Sequence, residues 1–146
     1  MIKNQGREKF MSKSRINGFL LDTDFLIDLN RGKSNIYKKR ASKLLYQIND
    51  SDLFISNVTI IEFLSGISEE KQENTSNILF DLFVYIYPTY EESCFAGRLR
   101  QEFFKKGISL SVSDVLNASL CINRNLSIVT RNIKHYPFKN INVLSW

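Results

Sequence analysis

Short apolar runs alternate along this chain with longer stretches in which apolar residues recur every three or four positions. Phe19-Leu20-Leu21 is the first such run; it closes on Asp22 and predicts a short buried strand. A helix is expected to follow through Leu29, with Asp24 suited to cap it. From about Ile36 to Asn49 a second helix places Ala41, Leu44, Leu45 and Ile48 on one face. Leu53-Phe54-Ile55 predicts another strand, after which Ser56 or Asn57 caps a helix carrying Ile60, Leu64 and Ile67. Asn77 to Phe83 reads as helical, and Val84-Tyr85-Ile86-Tyr87 as a strand stopped by Pro88. Phe95, Leu99 and Phe103 recur every four residues between Tyr90 and Lys106, with Gly107 as the stop. Ser113 and Asp114 open an apolar helix through Ile122, followed by strands at Ser127 to Val129 and Ile141 to Leu144.

Strands this short and apolar, separated by helices, predict a parallel sheet covered on both faces. At 146 residues the chain suits one compact domain, expected over residues 18–146. Residues 1–17 read as a basic, flexible leader, since Lys3, Arg7, Lys9, Lys13 and Arg15 face only Glu8. Twenty Lys and Arg against fifteen Asp and Glu give a formal charge of +5, which suits a polyanionic partner such as RNA. Cys94 and Cys121 lie far apart in apolar helical patterns and read as free thiols of a reducing compartment. No apolar run is long enough for a membrane span, so a cytoplasmic protein with no membrane partner is expected. With one histidine and no Cys cluster, any metal would be held by oxygen.

In an open parallel sheet, ligands bind beyond the carboxyl ends of the strands. Asp22 ends the first strand, Glu62 lies in the helix leaving the second, and Asp114 opens the helix before the strand at Ser127. Three carboxylates from separate elements can converge on one hard cation, which takes oxygen ligands and retains exchangeable waters. Each also has a plainer reading. Asp22 and Asp24 suit helix caps, Asp114 suits a first turn, and Glu62 points opposite Ile60, Leu64 and Ile67, where a solvated glutamate belongs.

The trio gains weight from a resemblance. The stretch Leu20-Leu21-Asp22-Thr23-Asp24-Phe25-Leu26-Ile27-Asp28-Leu29 resembles the opening motif of PIN-domain ribonucleases of the VapC toxin type. Ile55 to Ile67 is similar to the family's second motif, whose glutamate falls at Glu62. A third block runs from Ala96-Gly97-Arg98-Leu99-Arg100 through Ser113-Asp114-Val115-Leu116-Asn117 to Ile128-Val129-Thr130-Arg131-Asn132. The resemblance implies a three-layer α/β/α fold with a central, mainly parallel sheet of four or five strands. It implies an endoribonuclease dependent on Mg2+, with Mn2+ as a substitute, acting as the toxin of a toxin–antitoxin pair. Structured RNA such as tRNA would be the substrate, a cognate antitoxin the protein partner, and a homodimer the expected assembly.

By residue match the resemblance carries Asp22, Glu62 and Asp114 over as catalytic and metal-holding carboxylates. The family's fourth acidic position falls at Asn132, which brings an oxygen but no charge, so a second metal would be held less tightly. Thr130 would orient a water, a ligand or the loop, or serve ordinary strand-end bonding. His135 suits loop packing rather than a general base. Arg131, Lys134 and Arg31 are the cations expected to meet RNA, with Arg131 beside the pocket. Ile78, Leu79, Leu82 and Phe83 suit a partner surface or plain core. Two other readings remain at this point. One is a non-catalytic or housekeeping PIN-like RNA-binding protein, favoured by Asn132. The other is a haloacid-dehalogenase-type phosphatase, whose first motif Asp22-Thr23-Asp24 also resembles, although Leu26 and the late Thr130-Arg131-Asn132 depart from it.

Overall fold

The computed structural model describes residues 17–146. Five parallel strands form one sheet: β1 (Phe19–Leu21), β2 (Leu53–Ser56), β3 (Val84–Ile86), β4 (Ser127–Val129) and β5 (Val143–Leu144), in the spatial order β3-β2-β1-β4-β5. Six α-helices connect them: α1 (Thr23–Leu29), α2 (Ile36–Ile48), α3 (Asn57–Ser65), α4 (Glu69–Leu82), α5 (Tyr90–Lys105) and α6 (Val112–Arg124). The expected α/β architecture with a parallel central sheet is therefore present, with five strands.

Alternation along the strands explains the layering, because successive strand residues point to opposite faces. Leu20 and Ile128 enter one core with Ala118, Leu120 and Cys121 of α6, while their neighbours Leu21 and Val129 enter the other with Phe25, Ala41, Leu44 and Phe63. Each strand residue thus feeds a different helical layer.

Several boundaries differ from the sequence reading for local reasons. Asp22, not Asp24, caps α1, accepting from the Thr23 amide at 2.8 Å. Ser56 is the cap of α3. Helix α4 begins at Glu69, earlier than its apolar residues indicate, because its first two turns are solvent-exposed and their polar sequence carries no burial signal. Helix α6 starts at Val112, capped by Ser111. Cys121 is buried and Cys94 half-buried, and both are free thiols. Among the described residues no helix is long and apolar enough to cross a membrane. Most of the expected leader, residues 1–16, lies outside the described residues. Asn17, which the sequence reading places at the leader's end, bonds the end of α6 through the Asn125 and Arg124 carbonyls.

Gly18 supports the entry into β1. Its φ of +142° is one that side-chain-bearing residues rarely adopt, and an added Cβ would come within 2.5 Å of the Asp52 carbonyl oxygen. Gly18→Ala is expected to cost at least about 1 kcal/mol. A urea melt in which the variant matches the wild type would refute that.

Strand β1 is flanked by β2, reached by the first crossover, and by β4, reached after the chain has passed over to the other side. The crevice beyond the carboxyl ends of β1 and β4 is accordingly the topological switch point, where open parallel sheets bind their ligands.

Candidate active site

Asp22 stands at that crevice. Its backbone N–H still belongs to the sheet, donating to Val129 of β4 at 3.0 Å, while its side chain has turned to cap α1. The second carboxylate oxygen accepts from the Tyr136 hydroxyl at 3.1 Å. Burial first, and the charge of Asp24 second, push the Asp22 carboxyl up from 3.8 to about 6, against the opposing pull of the Thr23 amide, Thr130 and Tyr136.

Asp24 lies in the first turn of α1 and reaches across to the segment after β4. Its Oδ2 accepts from the Arg131 backbone N–H at 2.8 Å and from the Thr130 hydroxyl at 3.3 Å. Its Oδ1 is buried with no hydrogen-bond partner. Burial is also the main cause that raises its carboxyl above the ordinary range, with the Arg131 amide the largest opposing effect. Thr130 is fully buried and its hydroxyl also accepts from the Asn132 amide at 3.0 Å, which bends the chain into a short 3-10 turn, Ile133–His135. Asn132 itself is exposed at the start of that turn.

Asp114 approaches from the opposite layer. Its amide donates to the Ser111 cap at 3.0 Å, which places it in the first turn of α6, where the helix dipole favours an acid. The carboxylate faces His135 Nδ1 at 3.3 Å. One turn on, buried Asn117 accepts from Ser56 Oγ at 2.6 Å, joining α6 to the end of β2. The Tyr136 phenol sits among these groups: burial raises it most, then the charge of Asp22, with Asn117 opposing through a hydrogen bond and Asp114 adding to the rise. Glu62 occupies the rim on α3, exposed as its helical position predicts, and its Oε2 accepts from the Thr23 hydroxyl at 2.7 Å.

The structure therefore brings Asp22, Asp24 and Thr130 into direct relation, links Asp22 toward Asp114 through Tyr136, and ties Glu62 to the residue after Asp22. Among the described residues, no three His, Cys, Asp or Glu side chains lie close enough to hold one ion as they stand. The donor chemistry nevertheless fits a hard divalent cation. Buried Asp22 and half-buried Asp24 stand close enough in the crevice for each charge to be felt, Asp24 with one buried, unpartnered oxygen, and desolvation makes their negative charge unfavourable until a cation compensates it.

Arg131 and Arg31 are placed differently from the expected RNA-binding cations. Both are paired with Asp28, a fully buried residue of α1: Arg31 Nε at 2.7 Å and Arg131 Nε at 2.8 Å. The Arg131 guanidinium also lies over the Tyr37 ring, 4.2 Å from its centroid, so it is not a free cation beside the pocket. Lys134 is exposed on the 3-10 turn. Asp24, Asp28 and Tyr136 are the contributors that sequence reasoning passed over in roles of this kind. A weak signal existed for Asp28 alone, an acid on the apolar side of α1.

The arrangement defines a class: a parallel α/β domain with a cluster of acidic side chains at its topological switch point. Comparison with known proteins gives the family. Residues 19–142 match the model of the PIN domain. Ribonuclease VapC1 of Methanocaldococcus jannaschii is 32% identical over 117 residues, covering 80% of this chain and 77% of that protein. Ribonuclease VapC2 of Rickettsia felis is 25% identical, covering 88% and 97%. Among solved structures, VapBC2 from Rickettsia felis bound to a DNA fragment from their promoter aligns with a TM-score of 0.71 at 23% identity, covering 88% of this chain and 98% of that one. VapBC-1 from nontypeable Haemophilus influenzae aligns at 0.70 and 22%, covering 88% and 97%. This chain belongs to the PIN-domain family, and within it resembles the VapC ribonucleases. That membership displaces the phosphatase reading.

Proposed function

We propose that this chain is a divalent-metal-dependent endoribonuclease, the toxin of a toxin–antitoxin pair, which cuts structured RNA such as tRNA and so blocks translation. The observation that carries the reading is buried Asp22 with half-buried Asp24 beside it at the switch point, in a chain 32% identical to a protein named as a ribonuclease. Asp22 and Asp114 would hold the metal, with Glu62 from the rim and Asp24 behind them; Mg2+ is the expected ion and Mn2+ its substitute. When bound, the ion would lower the pKa of a water and neutralise charge on the phosphodiester.

The chain's own residues prepare that site. Tyr136 and the Thr23 amide fix both oxygens of Asp22. Thr130 and the Arg131 N–H hold one oxygen of Asp24 and leave the other free. Thr23, next to Asp22, donates its hydroxyl to Glu62. Asn132 supplies an amide where the family's acidic residue falls, so one tightly held metal is expected. A non-catalytic RNA-binding role is the second reading, and the same Asn132 favours it.

A protein partner also has a place. Helix α4 buries Leu79 with the neighbouring Phe83 but leaves Ile78 and Leu82 exposed, dividing a segment that the sequence reading left open between core and interface. Beside it, a cavity of about 360 Å³ is lined mainly by apolar residues of α1, α2, α3 and α4, among them Leu29, Leu45 and Leu82, with Asn30, Lys38, Ser42 and Thr75 also on its wall. An antitoxin helix with an apolar face suits this groove, and a second copy of the chain is the alternative occupant.

The deciding experiment incubates labelled tRNA and ribosomal RNA fragments with purified protein in Mg2+, Mn2+ or chelator. Discrete cleavage that chelator abolishes and Mg2+ restores is expected. Cleavage indifferent to chelator would remove the metal from the mechanism. Binding without cleavage under every divalent ion would favour the non-catalytic reading.

A further inference from the structure

Asp28 is a buried carboxylate that the mechanism above does not use. It is fully buried, yet three groups from separate segments converge on it: Arg31 from the end of α1, Arg131 from the turn after β4, and Trp146, whose indole Nε1 donates to Oδ2 at 3.0 Å. The Arg131 guanidinium hydrogen-bonds Asp28 Oδ1 through Nη2 at 3.3 Å, stands in ion-pair contact with Oδ2 through Nε at 2.8 Å without a hydrogen bond there, and is covered by the Tyr37 and Trp146 rings, with centroids 4.2 and 5.8 Å away. Trp146 in turn meets Phe25 of α1 edge to face, with centroids 4.8 Å apart. A surface arginine pair constrains little, but a planar guanidinium paired with a fully buried carboxylate and covered by rings is held in orientation.

That orientation bears on the active site, because Arg131 is the residue whose backbone N–H holds Asp24. We propose that Asp28 is a positioning residue of the nuclease: by fixing the Arg131 side chain it fixes the 130–132 turn, and through the Arg131 N–H and the Thr130 hydroxyl it sets the carboxylate of Asp24 beside Asp22. Trp146 closes the same bracket from the end of β5. Asp24 and Asp28 lie one turn apart on α1, so one helix carries both the site carboxylate and the anchor of the turn that orients it. The activity readout rests on the ribonuclease reading; the anchoring does not.

The test compares Asp28→Asn and Trp146→Phe with Glu92→Gln. The last breaks the Glu92–Arg124 pair between α5 and α6, at 2.8 Å, and controls for loss of stability alone. Hydrogen exchange of the 130–132 segment, Mn2+ affinity by calorimetry, and kcat and KM for RNA cleavage are measured well below each melting temperature. Asp28→Asn should speed exchange at 130–132, weaken Mn2+ binding about tenfold or more and lower kcat by a similar factor with KM little changed, as loss of an outer hydrogen-bond partner commonly does. Trp146→Phe, which keeps a ring against Phe25, should give the same changes at smaller amplitude and serves if Asp28→Asn fails to fold. Glu92→Gln should lower the melting temperature and leave the other readouts unchanged. Wild-type exchange at 130–132 and wild-type Mn2+ affinity in a folded Asp28 or Trp146 variant would overturn the proposal, as would equal changes in Glu92→Gln. Absence of RNA cleavage by the wild type would instead defeat the ribonuclease reading, while exchange and Mn2+ binding would still decide the role of Asp28.

Discussion

Replacing Asp22 with asparagine is expected to cut RNA cleavage about a hundredfold to a thousandfold, or about 3 to 4 kcal/mol of transition-state stabilisation, while making the metal-free protein more stable. Both halves follow from burial. The asparagine keeps the shape and can still cap α1 through its carbonyl oxygen, and the Tyr136 hydroxyl can rotate to accept from the new amide. What disappears is the charge that a metal needs and the folded protein disfavours. The sign follows from the raised carboxyl. Below the unfolded value of 3.8 both states are protonated and the charge costs nothing. As pH rises from there through about 6, the unfolded chain releases its proton first, so stability falls across that window and stays lower above it. A shift of this size corresponds to about 1 to 3 kcal/mol at neutral pH. Melting curves in chelator at pH 4 and pH 7.5 read it directly: Asp22→Asn should gain on the wild type mainly at the higher pH. A variant that melts lower than the wild type at pH 7.5, or that cleaves RNA normally, would contradict the assignment.

Phe25→Ala should produce the largest loss of stability, about 3 to 5 kcal/mol. Phe25 is fully buried between Asp22 and Asp28 on α1 and packs edge to face on Trp146. Removing its ring opens a cavity beneath the helix that carries Asp24 and Asp28. Since a domain of this size commonly has only about 5 to 15 kcal/mol in total, the variant should lose a large part of its resistance to urea. Phe25→Leu should lose less. A Phe25→Ala urea midpoint within error of the wild type would show that this side of the core does not carry the load assigned to it.

The strands and most helices were legible in the sequence because each leaves a local periodic trace, and so was the position of Asp22 at a strand end. Asp114 was legible in the same way, as an acid opening an apolar helix. Glu62 was not selected by periodicity, and the structure shows why: it is exposed, and only its bond to Thr23 distinguishes it from a solvated glutamate. For Arg131, sequence proximity to Thr130 and Asn132 points to a cation facing the pocket and gives no hint that its side chain turns back to Asp28. Tyr136 and Trp146 were invisible for a related reason. Their bonds to Asp22 and Asp28 span 114 and 118 residues, and a polar contact of that reach has no local pattern.

The central place of β1 has a temporal consequence. Strand β1 leaves the ribosome before the other described strands yet has β4 as one of its two neighbours, and the tyrosine that holds Asp22 lies 114 residues downstream. Synthesis proceeds from the amino end at about 5 to 20 residues per second, and long-range parallel pairing is slow to form. The nascent chain can therefore build the α1 to α4 layer first, with Asp22 and Glu62 already made, yet hold no finished pocket until the segment after β4 has emerged. A chain interrupted before Tyr136 would hold Asp22 without the hydroxyl that fixes its second carboxylate oxygen.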